Sequence, residues 1–178
     1  MSRAFRIQEV SDVLQQELST LAQRIRDNHV QAGQVASGRT LASIQQGVQT
    51  DAEGVSGWIE GRSPFGTLET GRKPGKTPAG FVNIIRQWMS DKGIKAMPIP
   101  YVRRPSERWQ PKYTPQERGE LSMAGSIAYT IRTKGTKQYR EGARSDIYSQ
   151  PIEDTMNSLS KRITALFDKE IQHINLNT

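Results

Sequence analysis

A long amphipathic pattern near the start of the chain restricts the fold more than any other feature of the sequence. Its apolar residues recur at spacings of three and four: Ile7, Val10, Leu14, Leu18, Leu21 and Ile25. This spacing places them on one stripe of an α-helix, which we predict over residues 5–32, with Gly33 as its terminator. Another surface must cover such a stripe, either the protein's own core or a neighbouring subunit.

The segment after this helix has the composition of short strands joined by turns. Residues 40–60 place apolar residues among polar and glycine residues, which predicts a β-meander of two or three short strands with a turn near residues 51–54. Residues 61–78 contain four glycines, three prolines and four basic residues. We therefore predict a long loop over residues 61–77, with a short element at residues 65–69.

Capping signals predict two middle helices, and apolar periodicity predicts a C-terminal one. Thr77-Pro78 indicates the start of a helix over residues 78–92 that Gly93 ends. Thr114-Pro115-Gln116-Glu117 carries a capping box and begins a helix over residues 114–134. The apolar spacing after Pro151 predicts a last helix over residues 152–173.

Between the middle helices lies a segment rich in proline, arginine and aromatic residues. Four prolines between Met97 and Lys112 favour extended backbone, so we predict an arm over residues 95–113. Arginine pairs with phosphates and aromatic rings stack on bases, so the arm could bind nucleic acid. Prolines that hold an interface arm in place explain the same composition equally well.

Together these elements predict an α+β protein with a single domain over residues 1–178. In this fold a long N-terminal helix packs on a small antiparallel β-sheet, followed by two middle helices and a C-terminal helix. The length allows one ordinary domain. Hydrophobic residues make up only 34% of the chain, which leaves room for a partner to supply part of the core.

The residues that most enzymes and metal sites require are missing or scattered. The sequence has no cysteine, and His29 and His173 lie near opposite ends of the chain without a metal-binding motif. Gly75-Lys76-Thr77 imitates only the end of a phosphate-binding P-loop. Glu60 and Glu69 could face each other across part of the first loop, but solvated carboxylates are the simpler expectation. We expect no enzyme activity, no cofactor and no metal.

Export and membrane signals are also missing from the sequence. No stretch approaches the length of a membrane-spanning apolar helix, and the first 28 residues lack the continuous apolar region of a signal peptide. We therefore expect synthesis in the cytoplasm and no membrane partner.

Positive charge is concentrated in the middle of the chain. Residues 1–61 hold 5 basic and 7 acidic residues, residues 62–118 hold 12 and 4, and residues 119–178 hold 8 and 7. The basic block can face phosphates or acidic patches of a protein. Our candidate contacts to a neighbouring subunit or to DNA are Arg62, Arg72, Lys73, Lys76, Arg103, Arg104, Arg108 and Trp109.

Three sequence motifs follow one another along the chain. Ser37-Gly38-Arg39-Thr40-Leu41-Ala42-Ser43-Ile44 resembles the segment that comes after the first helix in the tail-completion and neck proteins of tailed bacteriophages. Leu68-Glu69-Thr70-Gly71-Arg72 looks like that family's Leu-Glu-x-Gly-Arg turn, and Pro74-Gly75-Lys76 looks like the Pro-Gly-Lys continuation of the turn. Residues 128–136, Ala-Tyr-Thr-Ile-Arg-Thr-Lys-Gly-Thr, are similar to a helix end in versions from phages of Bacteroidetes hosts, including crAss-like phages. The proline-rich residues 97–111 have no counterpart in the short forms.

The resemblance implies a virion protein, assembled in the host cytoplasm, that forms or completes a ring between portal and tail. It implies a homo-oligomer of six- or twelve-fold symmetry that contacts the portal or adaptor, the tail proteins and DNA in the channel. A ring requires two different, complementary faces on each subunit, and the acidic first third and basic middle third could supply them. The alternative is a basic nucleic-acid-binding protein that uses residues 62–118.

Overall fold

The computed structural model describes residues 3–102 and 111–175, and their side chains except those of residues 3–6, 64, 170 and 173–175. The elements are α1 (Arg3–Gln31), α2 (Arg39–Ala42), β1 (Gln45–Thr50), β2 (Val55–Glu60), a 3-10 turn (Ser63–Gly66), α3 (Thr67–Thr70), α4 (Phe81–Asp91), α5 (Pro115–Lys134), α6 (Lys137–Glu141) and α7 (Ser149–Asn175). The predicted α+β class is confirmed, with α1 packed on a two-stranded antiparallel sheet, two middle helices and a C-terminal helix.

The chain gathers into two compact units, where the sequence analysis predicted one domain. The sheet unit contains residues 1–69 and 144–178, and the helical unit contains residues 70–143. Each unit has its own cluster of buried apolar side chains. The separation arises because the apolar face of α4 packs on α5 within the helical unit, while α1 packs on the two strands and α7 within the sheet unit.

The sheet unit is built on the apolar stripe of α1. Leu18, Leu21 and Ile25 are buried together with Ala22 and Ile44, as the helical spacing predicts. The helix lies close to the sheet, because a Cβ atom on Gly57 of β2 would stand only 2.6 Å from a methyl carbon of Leu18.

The strands pair as one antiparallel hairpin, in register from Gln45 with Glu60 to Thr50 with Val55. The predicted meander over residues 40–60 is wrong at its beginning, where the chain forms the helical turn α2. Gly38 precedes that turn with a φ of 74°, and the amide of Ala42 donates to the carbonyl of Gly38 at 3.0 Å. Glycine adopts this backbone region without the steric penalty of other residues, which allows the turn.

The helical unit has a smaller core, made of Ile85, Met89, Ala96, Ala124 and Ala128. The predicted start of α4 at residue 78 is wrong, because the helix begins at Phe81 after a left-handed Gly80. Its predicted end at Gly93 is confirmed.

The end of α4 is a Schellman motif. Gly93 has a φ of 67° and donates to the carbonyl of Ser90 at 3.0 Å. The next amide, that of Ile94, donates to the carbonyl of Met89 at 2.8 Å.

The described part of the predicted arm comprises residues 95–102 and 111–113, and residues 95–102, which form no helix or strand, pack on the beginning of α5. The amide of Ile99 donates to the carbonyl of Pro115 at 2.9 Å, and the Arg118 guanidinium donates to the carbonyl of Pro100 at 3.1 Å. The same guanidinium lies 4.5 Å from the centre of the Tyr101 ring. Backbone and side-chain contacts therefore hold this half of the arm.

Other boundaries differ from the prediction by a few residues or by one short helix. The predicted loop over residues 61–77 contains the 3-10 turn and α3. The short helix α6 was not predicted, because its five residues, Lys-Gln-Tyr-Arg-Glu, are too few to show periodicity. The last helix was predicted over residues 152–173 and extends from Ser149 to Asn175.

The predicted capping box of α5 is confirmed and makes the stability of this helix sensitive to acid. The Thr114 hydroxyl accepts from the Glu117 amide at 3.2 Å, and the Glu117 carboxylate accepts from the Thr114 amide at 2.8 Å. The backbone hydrogen bond from Thr114, followed by the one from its hydroxyl, lowers the pKa of Glu117.

We expect the stabilising effect of Glu117 to disappear in acid. A carboxylate whose pKa is lowered by folding stabilises the protein above its unfolded pKa, and this stabilisation is lost as the pH falls through the lowered, folded pKa. Denaturation measured from neutral pH downward should show the stability difference between wild type and Glu117→Gln narrowing in that window. Parallel pH curves for the two proteins would contradict the prediction.

Candidate functional site

The segment from Leu68 to Lys76 contains the second of the three motifs singled out in the sequence, and it makes specific contacts within each unit. In the sheet unit, Glu69 is only 3% exposed. Its Oε1 accepts from the amides of Ile147, Tyr148 and Ser149 at 2.9, 2.7 and 2.9 Å, and its Oε2 accepts from the Ser149 hydroxyl at 2.5 Å. The expectation that Glu69 is a solvated carboxylate is wrong.

Glu69 caps α7 from a distant part of the chain. The first amides of a helix have no partner within the helix, and the helix dipole favours a negative charge at this end. Burial raises the pKa of the nearby Tyr148 hydroxyl, and the charge of Glu69 raises it further. The role of Glu69 is therefore structural.

In the helical unit, the residues after Glu69 run beside the end of α5 and the start of α6. The Arg72 amide donates to the Thr136 hydroxyl at 2.9 Å, and the Thr136 amide donates to the Arg72 carbonyl at 3.0 Å. Further along, the Gly75 amide donates to the Arg132 carbonyl at 2.9 Å. Gly71 has a φ of 68°, and a Cβ atom there would stand 2.5 Å from the Tyr139 nitrogen. This close approach requires glycine.

These pairings give the predicted basic residues of this segment different roles. The Arg72 guanidinium donates to the Lys76 carbonyl at 2.6 Å and lies 5.5 Å from the centre of the Phe81 ring, so it stabilises the loop. The side chains of Lys73 and Lys76 are exposed. Lys76 lines an open depression of about 490 Å³ together with Arg132.

The structure therefore extends the basic surface beyond residue 118, where the sequence analysis ended the basic block. Arg132, Lys134, Lys137 and Arg140 are exposed at the end of α5 and on α6. The hydrogen bond between Gly75 and Arg132 is the contact that brings Lys76 to this end of α5. The sequence feature that could have indicated this extension is the motif over residues 128–136, because it contains Arg132 and Lys134.

The charge of the chain is divided between the units. The helical unit contains 15 Lys and Arg against 5 Asp and Glu, a net charge of +10, whereas the sheet unit contains 10 against 13, a net charge of −3. The sequence-based prediction of a basic middle and an acidic beginning thus corresponds to two folded units of opposite charge.

The other predicted contact residues belong to the sheet unit or lie outside the described part of the chain. Arg62 is exposed in the sheet unit, where its amide donates to the Ser43 hydroxyl at 3.1 Å. Arg103, Arg104, Arg108 and Trp109 lie outside the described residues.

An open apolar groove of about 580 Å³ lies in the helical unit. Ile85 and Trp88 of α4 line it together with Ile127 and Ile131 of α5. Its polar edge includes Lys137 and Arg140 of α6, and no carboxylate of the described residues lines it. The groove therefore combines an apolar surface with a positive edge.

No family model, curated protein or solved structure matches the chain. Within residues 3–102 and 111–175, no group of three or more histidine, aspartate or glutamate residues could hold a metal ion. No helix in the same ranges is both long enough and apolar enough to cross a membrane.

Proposed function

We propose that the chain is a non-catalytic structural subunit of a tailed bacteriophage, which forms or completes a ring between portal and tail. The proposal places it in the virion, after assembly in the host cytoplasm, in a homo-oligomer of six- or twelve-fold symmetry. Its partners are the portal or adaptor and the tail proteins. The resemblance of three ordered motifs supplies the phage context.

The observation that supports ring assembly is the difference in net charge between the two units. A closed ring is built from a heterologous interface, in which one face of a subunit meets a different face of the next. A unit of net charge +10 and a unit of net charge −3 provide two faces that attract each other between copies. Oppositely charged faces also favour the correct orientation on encounter.

The roles of the motif residues agree with a structural function. The Glu69 carboxylate accepts four hydrogen bonds at the start of α7, and the backbone amide of Arg72 donates to the Thr136 hydroxyl. These contacts hold the Leu68–Lys76 segment in place and leave Lys73 and Lys76 exposed for a partner.

Light-scattering mass and negative-stain electron microscopy of the purified chain test the proposal, at low and high salt and with and without duplex DNA. We expect closed particles of uniform diameter whose mass is a fixed multiple of the 20.0 kDa chain. A monomer that shifts onto DNA at low salt would favour the alternative function, and a monomer that ignores DNA at every concentration would count against ring formation by this chain alone.

The alternative is a basic nucleic-acid-binding protein that uses residues 62–118. The specific observation in its favour is the open depression lined by Lys76 and Arg132, with exposed Lys73 and Lys134 nearby in sequence. Lysine and arginine that neutralise phosphates release counterions, so such binding weakens steeply with salt. Both functions are compatible if the ring surrounds the DNA channel.

A charge-reversal experiment tests whether this basic surface binds nucleic acid. If the surface contacts phosphates, Lys73→Glu with Lys76→Glu should weaken duplex binding and lower the slope of log affinity against log salt by about 2. The matched control reverses two exposed lysines of the sheet unit, Lys161→Glu with Lys169→Glu. An equal loss in both variants would reflect net charge alone and would exclude a site at Lys73 and Lys76.

A further inference from the structure

We propose that the apolar groove of the helical unit receives the exposed apolar stripe of α7 from a neighbouring copy of the chain. This inference rests on the proposed ring and names the interface that would close it. The two surfaces belong to different units, so the contact between copies is heterologous, as a ring requires.

The groove has the size and composition of a protein-binding surface. Its volume of about 580 Å³ suits several large side chains, and most of its lining is apolar. Trp88, which lines it, is 38% exposed, and Ile84 on the same helix is 51% exposed. Partly exposed tryptophan in a concave surface is typical of the residues that dominate binding energy at interfaces.

The surface that we assign to this groove is a stripe along α7 in the sheet unit. Its four apolar side chains are exposed to different degrees: Ile152 at 38%, Met156 at 61%, Phe167 at 48% and Ile171 at 56%. The spacings of 4, 11 and 4 residues place them on one face of the helix. The ion pairs Arg24–Asp154 and Glu17–Arg162 join α7 to α1 from another face of the helix. Ile152 and Met156, at the beginning of the stripe, also line a groove beside Leu14 and Leu18 of α1.

Charge indicates that the stripe and the groove are complementary. Glu153 precedes Met156 by three residues and Asp168 precedes Ile171 by three, so each exposed acid neighbours a stripe residue on the helix surface. The two exposed lysines of α7, Lys161 and Lys169, stand at neither three nor four residues from any stripe residue. An apolar stripe flanked by acids thus matches an apolar groove edged by Lys137 and Arg140.

Mixing two complementary variants tests the contact. The stripe variant carries Phe167→Asp and Ile171→Asp, and the groove variant carries Lys137→Glu and Arg140→Glu; all four positions are exposed, so folding should be retained. We expect each variant alone to remain monomeric in light scattering. The mixture should form a 1:1 pair, because the stripe variant keeps a working groove and the groove variant keeps a working stripe.

Two further variants separate specific pairing from net charge. Adding Glu153→Lys and Asp168→Lys to the groove variant should restore assembly, since the charges are exchanged across the same contact. Lys161→Glu with Lys169→Glu makes the same change in net charge as the groove variant, and it should assemble like the wild type.

Cysteine crosslinking tests the contact between stripe and groove directly, because the sequence has no cysteine of its own. Ser126 lines the groove, and Thr164 precedes Phe167 by three residues on α7. A Ser126→Cys copy mixed with a Thr164→Cys copy should form a disulfide-linked dimer under mild oxidation. A Thr50→Cys copy, altered at the exposed end of β1, should not crosslink to the Ser126→Cys copy.

The outcomes distinguish this interface from the proposed function. If the wild type forms rings that both the stripe and the groove variants also form, the interface is wrong and the ring remains. If the wild type is a monomer and no mixture pairs or crosslinks, both proposals fail. A crosslink that forms within one chain carrying both cysteines, and never between copies, also overturns the interface.

Discussion

Replacing Glu69 with alanine is expected to lower the free energy of unfolding of the sheet unit by about 3 kcal/mol. The substitution removes the acceptor of three amides at the start of α7 and of the Ser149 hydroxyl. The hydrogen bond to the Ile147 amide is buried, so that donor would be left without water as well as without its partner. An unsatisfied buried donor costs about 1–3 kcal/mol, and the lost charge–dipole attraction adds to it.

The matched control for Glu69 is Glu60, the other carboxylate near the first loop. Glu60 is exposed at the end of β2, so Glu60→Ala should change stability by no more than about 0.5 kcal/mol. Glu69→Gln keeps one acceptor oxygen and should fall between the two. Urea denaturation followed by circular dichroism measures all three, and hydrogen exchange at residues 147–149 locates the effect. Equal losses for Glu60→Ala and Glu69→Ala would contradict the capping role.

Gly119→Ala is expected to destabilise the helical unit by about 2 kcal/mol, although alanine is the better helix former. Gly119 lies inside α5, and a Cβ atom there would stand 2.1 Å from the carbonyl oxygen of Met97. The obstacle is backbone, which cannot rotate away as a flexible side chain can. The segment around Met97 would have to move, which would disturb the hydrogen bond between Ile99 and Pro115.

The same helix supplies the control for this prediction. Gly125 is also inside α5, and nothing lies within 4 Å of the Cβ that alanine would add. Gly125→Ala should therefore stabilise the unit by up to about 1 kcal/mol through helix propensity alone. Thermal denaturation of both variants should show shifts of opposite sign. If both variants shifted the melting temperature in the same direction, the close approach of residues 97–98 to Gly119 of α5 would be contradicted.

The two glycines illustrate the limit of sequence reasoning for the fold. Local patterns were sufficient for the stripe of α1, the capping box at Thr114 and the glycine stop of α4 at Gly93, because each depends on residues within a few positions of one another. The sequence does not distinguish Gly119 from Gly125. Only the approach of Met97 to α5, from more than twenty residues away, separates them.

The candidate site shows the same division between local and distant information. The basic character of the middle segment was evident from composition, and the structure assigns it to a folded unit of net charge +10. Which basic side chains lie together depends on the hydrogen bond between Gly75 and Arg132 and on the pairing of Arg72 with Thr136. No spacing rule predicts pairs separated by about sixty residues.

Glu69 shows most clearly why its role could not be predicted from the sequence. It lies in a segment with four glycines, three prolines and four basic residues, which favours a solvated side chain. Helix caps are normally sought within a few residues of the helix that they cap. Here the cap comes from a residue eighty positions before the first residue of α7. The sequence alone specified helices and turns, through the backbone preferences of neighbouring residues, and it specified the overall charge. The tertiary structure determined which side chains are buried, which residue caps α7 and what shape the groove has, because these depend on contacts between distant segments.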